Sequence, residues 1–428
     1  MDHFEIRDGV MHAEDVPLPL IADAVETPVY VYSAATIERH ARVFLTAVAG
    51  CGNGPPHVAY AVKANPNGAV LSLLARIGLG ADVVSEGELR RALAAGVPPE
   101  KVIFSGVGKT AREMAYALSV GVGQFNVESE PELDMLSAVA TAAGITATIA
   151  IRINPDVDAG THAKISTGKS ENKFGIAYDR AAHAYALAAS LPGIRVRGVA
   201  LHIGSQLTDL APLEAAFRKT GVLIAALRSA GHVVTHVDLG GGLGVPYDPA
   251  QPLPPSPDAY GAMIRAVTAN WDVALAFEPG RLIVANAGVL LTRVIRVKPS
   301  VTNTPFVIVD AAMNDLLRPS LYDAWHDIRS VAPRGEPIQA TIVGPVCETG
   351  DTFATARQID VVEAGDLVVL ATAGAYAATM ASTYNSRALT PEVMVSGDKW
   401  AIVRARPPIE ALIAGDIVPD WLSSGRAI

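Results

Sequence analysis

The sequence predicts an eight-stranded α/β barrel followed by a mostly antiparallel β domain. Three observations carry this. Helical and strand-like segments alternate from Ser33 to Arg281, eight strand-like runs can be counted in that stretch, and the alternation stops after Arg281. Strands alternating with helices imply parallel pairing through right-handed crossovers, and eight repeats suggest closure. An open doubly wound sheet would give the same pattern and is the alternative. Composition agrees: half of the 428 residues are hydrophobic but only 6% aromatic, the aliphatic mixture of helices packed over a parallel sheet. That length exceeds one ordinary core.

The elements follow in order. Ser33 is a candidate N-cap for a helix through IERHARVFLTAV. HVAYAVKAN (57–65) is the first strand, ADVVS (81–85) the second and KVIFSG (101–106) the third, with AVLSLLARIGL and EGELRRALAAG as the helices between them. QFNVES, TATIAIRIN, VRGVALHIG, VVTHVDLGGG and VALAFEPGR (273–281) complete the eight. Beyond them, GVLLTRVIRV, PFVIVDA, DLVVLATAG and VMVSGDKWAIVRAR read as strands with little helix between. The expected division is 1–32, strands that join the β domain; 33–285, the barrel; and 286–428, the β domain.

Net charge is −9 and the basic residues form no run, which argues against a nucleic-acid or anionic-membrane partner. The opening MDHFEIRDGV has no basic segment leading into an apolar one, so a secretory signal is not expected. No apolar segment approaches the roughly 20 residues that cross a bilayer. Cys51 and Cys347 are expected to be reduced thiols in a cytoplasmic protein.

Barrel enzymes place their chemistry where strands end. Here those positions offer Lys63, Asp82, Ser85, Arg152, His202, Ser205, the run Gly240-Gly241-Gly242, and Glu278-Pro279-Gly280-Arg281. Lys63, among small and apolar residues in YAVKAN, is expected to be desolvated, with a lowered pKa suited to Schiff-base chemistry. Its bland reading is a strand-end lysine reaching solvent. GGGLG follows the seventh strand, where barrels often bind phosphate, rather than the first strand of a dinucleotide domain; otherwise it is a flexible turn. Glu278 could hold a pyridine nitrogen protonated, or simply pair with Arg281. His202 could stack on a planar ring or be structural. No metal site is expected.

Taken in order, YAVKAN, HIGSQ, GGGLG and EPGR resemble the barrel signatures of the alanine-racemase-like (fold-type III) pyridoxal-phosphate decarboxylases. MNDLLRPSLYDAWHDI (313–328), CETGD (347–351), GAY (374–376) and YNSR (384–387) resemble the diaminopimelate decarboxylase family in particular. The first of these discriminates most, because ornithine-type relatives differ there, and the resemblance spans essentially the whole chain. It implies decarboxylation of meso-2,6-diaminopimelate to L-lysine, the last step of lysine biosynthesis. By resemblance, Lys63 anchors the pyridoxal 5'-phosphate, His202 stacks on its ring, and Asp82 and Arg152 support the lysine and the ring substituents. Ser205, Gly240 to Gly242 and the backbone from Glu278 through Gly280 to Arg281 cradle the phosphate, and Glu278 meets the ring nitrogen. Arg281, Arg318 and Tyr322 contact the distal carboxylate, and Tyr376 lies near phosphate and substrate. Cys347, the candidate proton donor, and Glu348 reach in from the other subunit of a homodimer with composite sites. The sequence departs slightly from the family at Thr349 and Asn172, where serine is common. The substrate suits these residues: its distal end needs a guanidinium for the carboxylate and an acceptor such as Glu348 for the ammonium. The loop 155–175 has the glycine and serine content that mobility requires. Rival expectations are a decarboxylase of ornithine, arginine or a carrier-bound amino acid, an alanine racemase, a catalytically silent cofactor-binding protein, and a nicotinamide oxidoreductase.

Overall fold

The structure, a computed structural model, describes residues 2–158, 172–301 and 303–423, so most of the loop 155–175 lies outside the described residues. Eight parallel strands form the first sheet: β1 (His57–Ala61), β2 (Gly80–Val83), β3 (Val102–Phe104), β4 (Gln124–Val127), β5 (Ala147–Asn154), β6 (Ile194–Ala200), β7 (His236–Asp238) and β8 (Ala274–Phe277). Each pairs with the next, and β8 returns to β1 with Ala276 opposite His57 and Phe277 opposite Val58. That last ladder decides for the closed barrel over the open sheet. Every residue of β2 and β4 is buried, as strands with side chains inside and helices outside must be.

The outer helices begin and end where local chemistry dictates. Ala34–Val48 starts at Ser33, whose hydroxyl accepts from the Thr36 N–H at 3.0 Å. It buries Ile37, Ala41, Phe44 and Val48, one stripe at helical spacing. Ala111–Val120 opens with a Thr110–Glu113 capping box and stops at Gly121, φ +83°.

The second sheet comprises β9 (Gly288–Lys298), β10 (Phe306–Val309), β11 (Ile328–Ser330), β12 (Ile338–Val343), β13 (Thr352–Ile359), β14 (Leu367–Leu370), β15 (Glu392–Ser396) and β16 (Lys399–Arg404). It is mostly antiparallel, with β10–β12 as a parallel pair. The N-terminal strands join this domain, as expected. Phe4–Arg7, Val10–Ala13 and Val16–Pro17 form a small sheet of their own that packs on the second sheet through Met11, Ala13 and Val16, and the Met11 N–H donates to the Val331 carbonyl at 2.7 Å. Only Val29–Ser33 enters, between β9 and β15, fully buried. Its alternating Val-Tyr pattern explains this: the valines pack against the N-terminal hairpin, while the Tyr30 and Tyr32 hydroxyls reach the Asp315 carbonyl and Glu392. Cys51 is buried and Cys347 exposed, and both are free thiols. Among the described residues, no helix is long and apolar enough to cross a membrane.

One buried ion pair braces the barrel's carboxyl face. Lys109 Nζ lies 2.6 Å from Glu132 and 2.7 Å from each of the carbonyls of Gly106 and Asn126, with no side-chain exposure. It thereby ties the loop after β3 to the end of β4. We expect Lys109→Ala, which strands a buried carboxylate, to cost about 3–5 kcal/mol in a denaturant titration. The Lys109→Met/Glu132→Leu double variant should recover most of that loss.

Candidate active site

A cavity of about 690 Å³ opens at the carboxyl ends of the barrel strands and extends to the second domain. Lys63 reaches it because β1 stops at Ala61 and the chain turns through a short 3₁₀ segment, Val62–Ala64. Its amine lies 2.6 Å from Asp82 Oδ2, and Asp82 is fully buried on β2. Burial pulls the amine's pKa down, but Asp82, with Tyr376 and Glu278, outweighs it and leaves the pKa above its ordinary value. The expected lowered pKa is therefore corrected. A carboxylate in hydrogen-bond contact stabilises the ammonium more than the surrounding walls destabilise it.

Glu278, just past β8, accepts from Asn126 Nδ2 at 3.1 Å and from Ser105 Oγ at 3.3 Å. Burial, with Asp238 and Asp82 nearby, pushes its carboxyl well above the usual range and favours the protonated form. It does not pair with Arg281, whose guanidinium instead donates to the Tyr247 hydroxyl at 2.5 Å and to Ser205 Oγ at 3.0 Å. His202 also lines the cavity. Burial, then Arg152 and Lys63, hold its pKa well below the ordinary value, so the ring is uncharged. Arg152 lines the wall with its guanidinium 3.0 Å from Glu128, which also accepts the N–H groups of Gly106 and Gly175.

The glycine run lies beside these groups. Gly240 and Gly242 have φ of +66° and +112°, and a Cβ on Gly241 would stand 2.3 Å from the Glu278 carbonyl. Only glycine fits there. Yet Gly240 and Gly241 turn their N–H groups onto Asp238 Oδ1 (2.9 Å) and His202 Nδ1 (3.3 Å). The loop thus offers an anion fewer donors than expected, and its glycines serve close approach. Gly280 is also close-packed, its Cβ position 3.0 Å from that of Ala61.

Arg318 and Tyr322, from the second domain, face the same cavity, as does Tyr376. Tyr376 is held at φ +54° and donates its N–H to Ala64 O at 2.8 Å, next to Lys63. Arg281 and Arg318 are each 7% exposed, and among the described residues neither has a carboxylate partner. Tyr247 lies between them, 5.7 Å from one guanidinium and 4.6 Å from the other. Cys347 and Glu348 do not line this cavity; Glu348 accepts from the Tyr384 hydroxyl at 3.0 Å. Among the described residues, no cluster of His, Cys, Asp and Glu could hold a metal ion.

The parts suit a flat aromatic aldehyde with an anionic arm. There is an amine, an uncharged imidazole face, a buried carboxyl and a close-approach glycine loop, while among the described residues Asp82 Oδ1 and Arg281 Nε are buried without hydrogen-bond partners. Tyr247, His326, Asn126, Glu128 and Asp238 escaped the sequence reading. Asp238, two residues before the glycine run on an interior strand, was the one with a readable signal.

Residues 34–285 match the family described as pyridoxal-dependent decarboxylase, pyridoxal binding domain. The diaminopimelate decarboxylase of Zymomonas mobilis is 56% identical over 419 residues, 98% of this chain and 99% of that one. The one from Vibrio cholerae is 51% identical over 417 residues, 97% and 98% of the two chains. The crystal structure of diaminopimelate decarboxylase from M. jannaschii with L-lysine superposes with a TM-score of 0.93 at 37% identity, covering 98% and 99%. That from Helicobacter pylori, also with L-lysine, gives 0.88 at 40%, covering 93% and 98%.

Asp82 is what keeps Lys63 charged. In Asp82→Asn, the Lys63 amine of cofactor-free protein should react about tenfold faster with an amine-labelling reagent at pH 9, the effect of a pKa one unit lower. Peptide mass spectrometry reads it, and equal rates would assign the charge to another group.

Proposed function

Because the chain belongs to the diaminopimelate decarboxylase family of pyridoxal-dependent decarboxylases, we propose that it removes CO₂ from meso-2,6-diaminopimelate to give L-lysine, the last step of lysine biosynthesis. One observation carries the substrate assignment. The cavity that holds Lys63 and Glu278 also holds two buried guanidiniums with no carboxylate partner among the described residues. Buried charge of one sign calls for an anion. A distal substrate carboxylate answers that charge, and ornithine has no such carboxylate.

Lys63 is the amine that would anchor the cofactor through its aldehyde, with Asp82 balancing the lysine's ammonium. Pyridoxal phosphate, when bound, supplies a protonated ring that accepts the electron pair of the broken carbon–carboxylate bond. Glu278, as a carboxylate, would hold the proton at the ring nitrogen, and a pyridinium beside it would draw its carboxyl back down from the elevated pKa. The uncharged His202 would lie against the ring face, and Arg152 would support its substituents. Ser205, the glycines 240–242, Gly280 and Tyr376 enclose the phosphate. Arg281, Arg318 and Tyr322 bind the distal carboxylate. Cys347 gives the carbon its proton and Glu348 accepts the distal ammonium, both from a second copy in a cytoplasmic homodimer. Their position outside their own chain's cavity supports that arrangement.

An absorbance spectrum before and after borohydride tests the anchor. The long-wavelength band should vanish and the cofactor should remain on the peptide carrying Lys63. Lys63→Ala should abolish both band and turnover. Glu278→Gln should retain cofactor while kcat falls about 10²–10³-fold. Turnover of ornithine but not of diaminopimelate would overturn the substrate assignment.

A further inference from the structure

We infer that His326 is a positioning residue for substrate recognition: locked as an uncharged imidazole with Nε2 bare, it holds Arg318 in place without using up its charge. This rests on the reading of Arg318 as the contact for the distal carboxylate.

The geometry forces a single tautomer. His326 Nδ1 lies 2.8 Å from the Ala371 carbonyl, which only accepts, so the proton is on Nδ1. Nε2 lies 2.9 Å from Arg318 Nη1, which only donates, so Nε2 carries none. A second proton would set N–H against N–H. The ring has no room to escape that conflict, being fully buried. Arg357 holds the residue's backbone, donating to the His326 carbonyl at 2.9 Å while stacking on Trp325.

Arg318 is thereby gripped on two sides by uncharged groups. Its edge meets the imidazole, and its face lies 4.6 Å from the centre of the Tyr247 ring, which itself meets the His326 ring edge-on at 5.6 Å. A carboxylate at position 326 would hold the guanidinium as firmly but would neutralise it. A neutral acceptor leaves the full positive charge, and the remaining N–H donors, for an incoming anion.

The groups facing His326 agree in sign. Arg318 comes from the helix Arg318–Tyr322, Arg281 from the barrel, Arg357 from β13 and the Tyr247 phenol from the loop after β7. Burial first, and then these guanidiniums, depress the His326 pKa to about 3, so it stays uncharged across the working range.

The test compares two ligands of the holoenzyme by titration of the cofactor's absorbance: L-lysine, which keeps the distal carboxylate, and cadaverine, which lacks it. In the parent, the ratio of their dissociation constants should stay flat from pH 8 to pH 5. His326→Phe should weaken L-lysine about tenfold, the worth of one charge-assisted hydrogen bond, while cadaverine changes less than twofold and the cofactor band persists. His326→Gln, with an amide oxygen for Arg318, should recover part of the loss. Equal weakening of both ligands, an unchanged ratio in His326→Phe, or a parent ratio that collapses with a midpoint near pH 6 would each overturn the proposal. The last of these needs no variant to fold. Arg318→Met separates the two layers. If it too leaves the ratio unchanged, the reading of Arg318 as the carboxylate contact falls. If it collapses the ratio and His326→Phe does not, only the role of His326 falls.

Discussion

The ladder between β8 and β1 is the constraint on which the rest depends. Without Ala276 opposite His57, Lys63 and Glu278 would sit at opposite edges of an open sheet, with Asp82, Asn126 and His202 spread between them. Closure turns a sequence distance of more than two hundred residues into one cavity wall.

Among the described residues, acids and unpaired cations stand at different ends of that cavity, with Lys63 and Arg152 each paired to a carboxylate at the barrel end. Acids collect at the barrel end, where Asp82, Glu278 and Asp238 influence one another, and Asn126 bridges Asp238 and Glu278 with one amide nitrogen. One of these acids holds Lys63 as a cation; Glu278 itself is driven toward its neutral form. Cations collect around Tyr247, where Arg281 and Arg318 are held by hydroxyls, aromatic faces and a neutral imidazole. A pocket so divided suits a molecule with an amine to react at one end and an anion to be recognised at the other.

Much of this was legible. The Ser33 cap, the Thr110 box and the Gly121 stop depend on neighbours three or four residues away, so local chemistry suffices to find them. Strand-end residues were legible because barrel topology makes position equivalent to function. One expectation, for Lys63, and one alternative, for Glu278, failed for the same reason. Lys63 was expected to lose proton affinity by burial, and Glu278 stands in sequence beside Arg281. In the fold, Lys63 meets a carboxylate nineteen residues away, and Glu278 turns inward to Asn126 and Ser105.

The sequence by itself determined the alternation of helix and parallel strand, the order of the elements and the set of residues near the strand ends, though not closure of the barrel, because periodicity, caps and turn chemistry act within a few residues. Only the tertiary structure decided the partners: that Arg281 bonds Tyr247 and Ser205, that two glycine N–H groups turn inward, and that His326 faces Arg318 with one fixed tautomer. A group's protonation and direction follow from what stands within about 3 Å of it, and in a closed barrel those neighbours come from other strands and another domain.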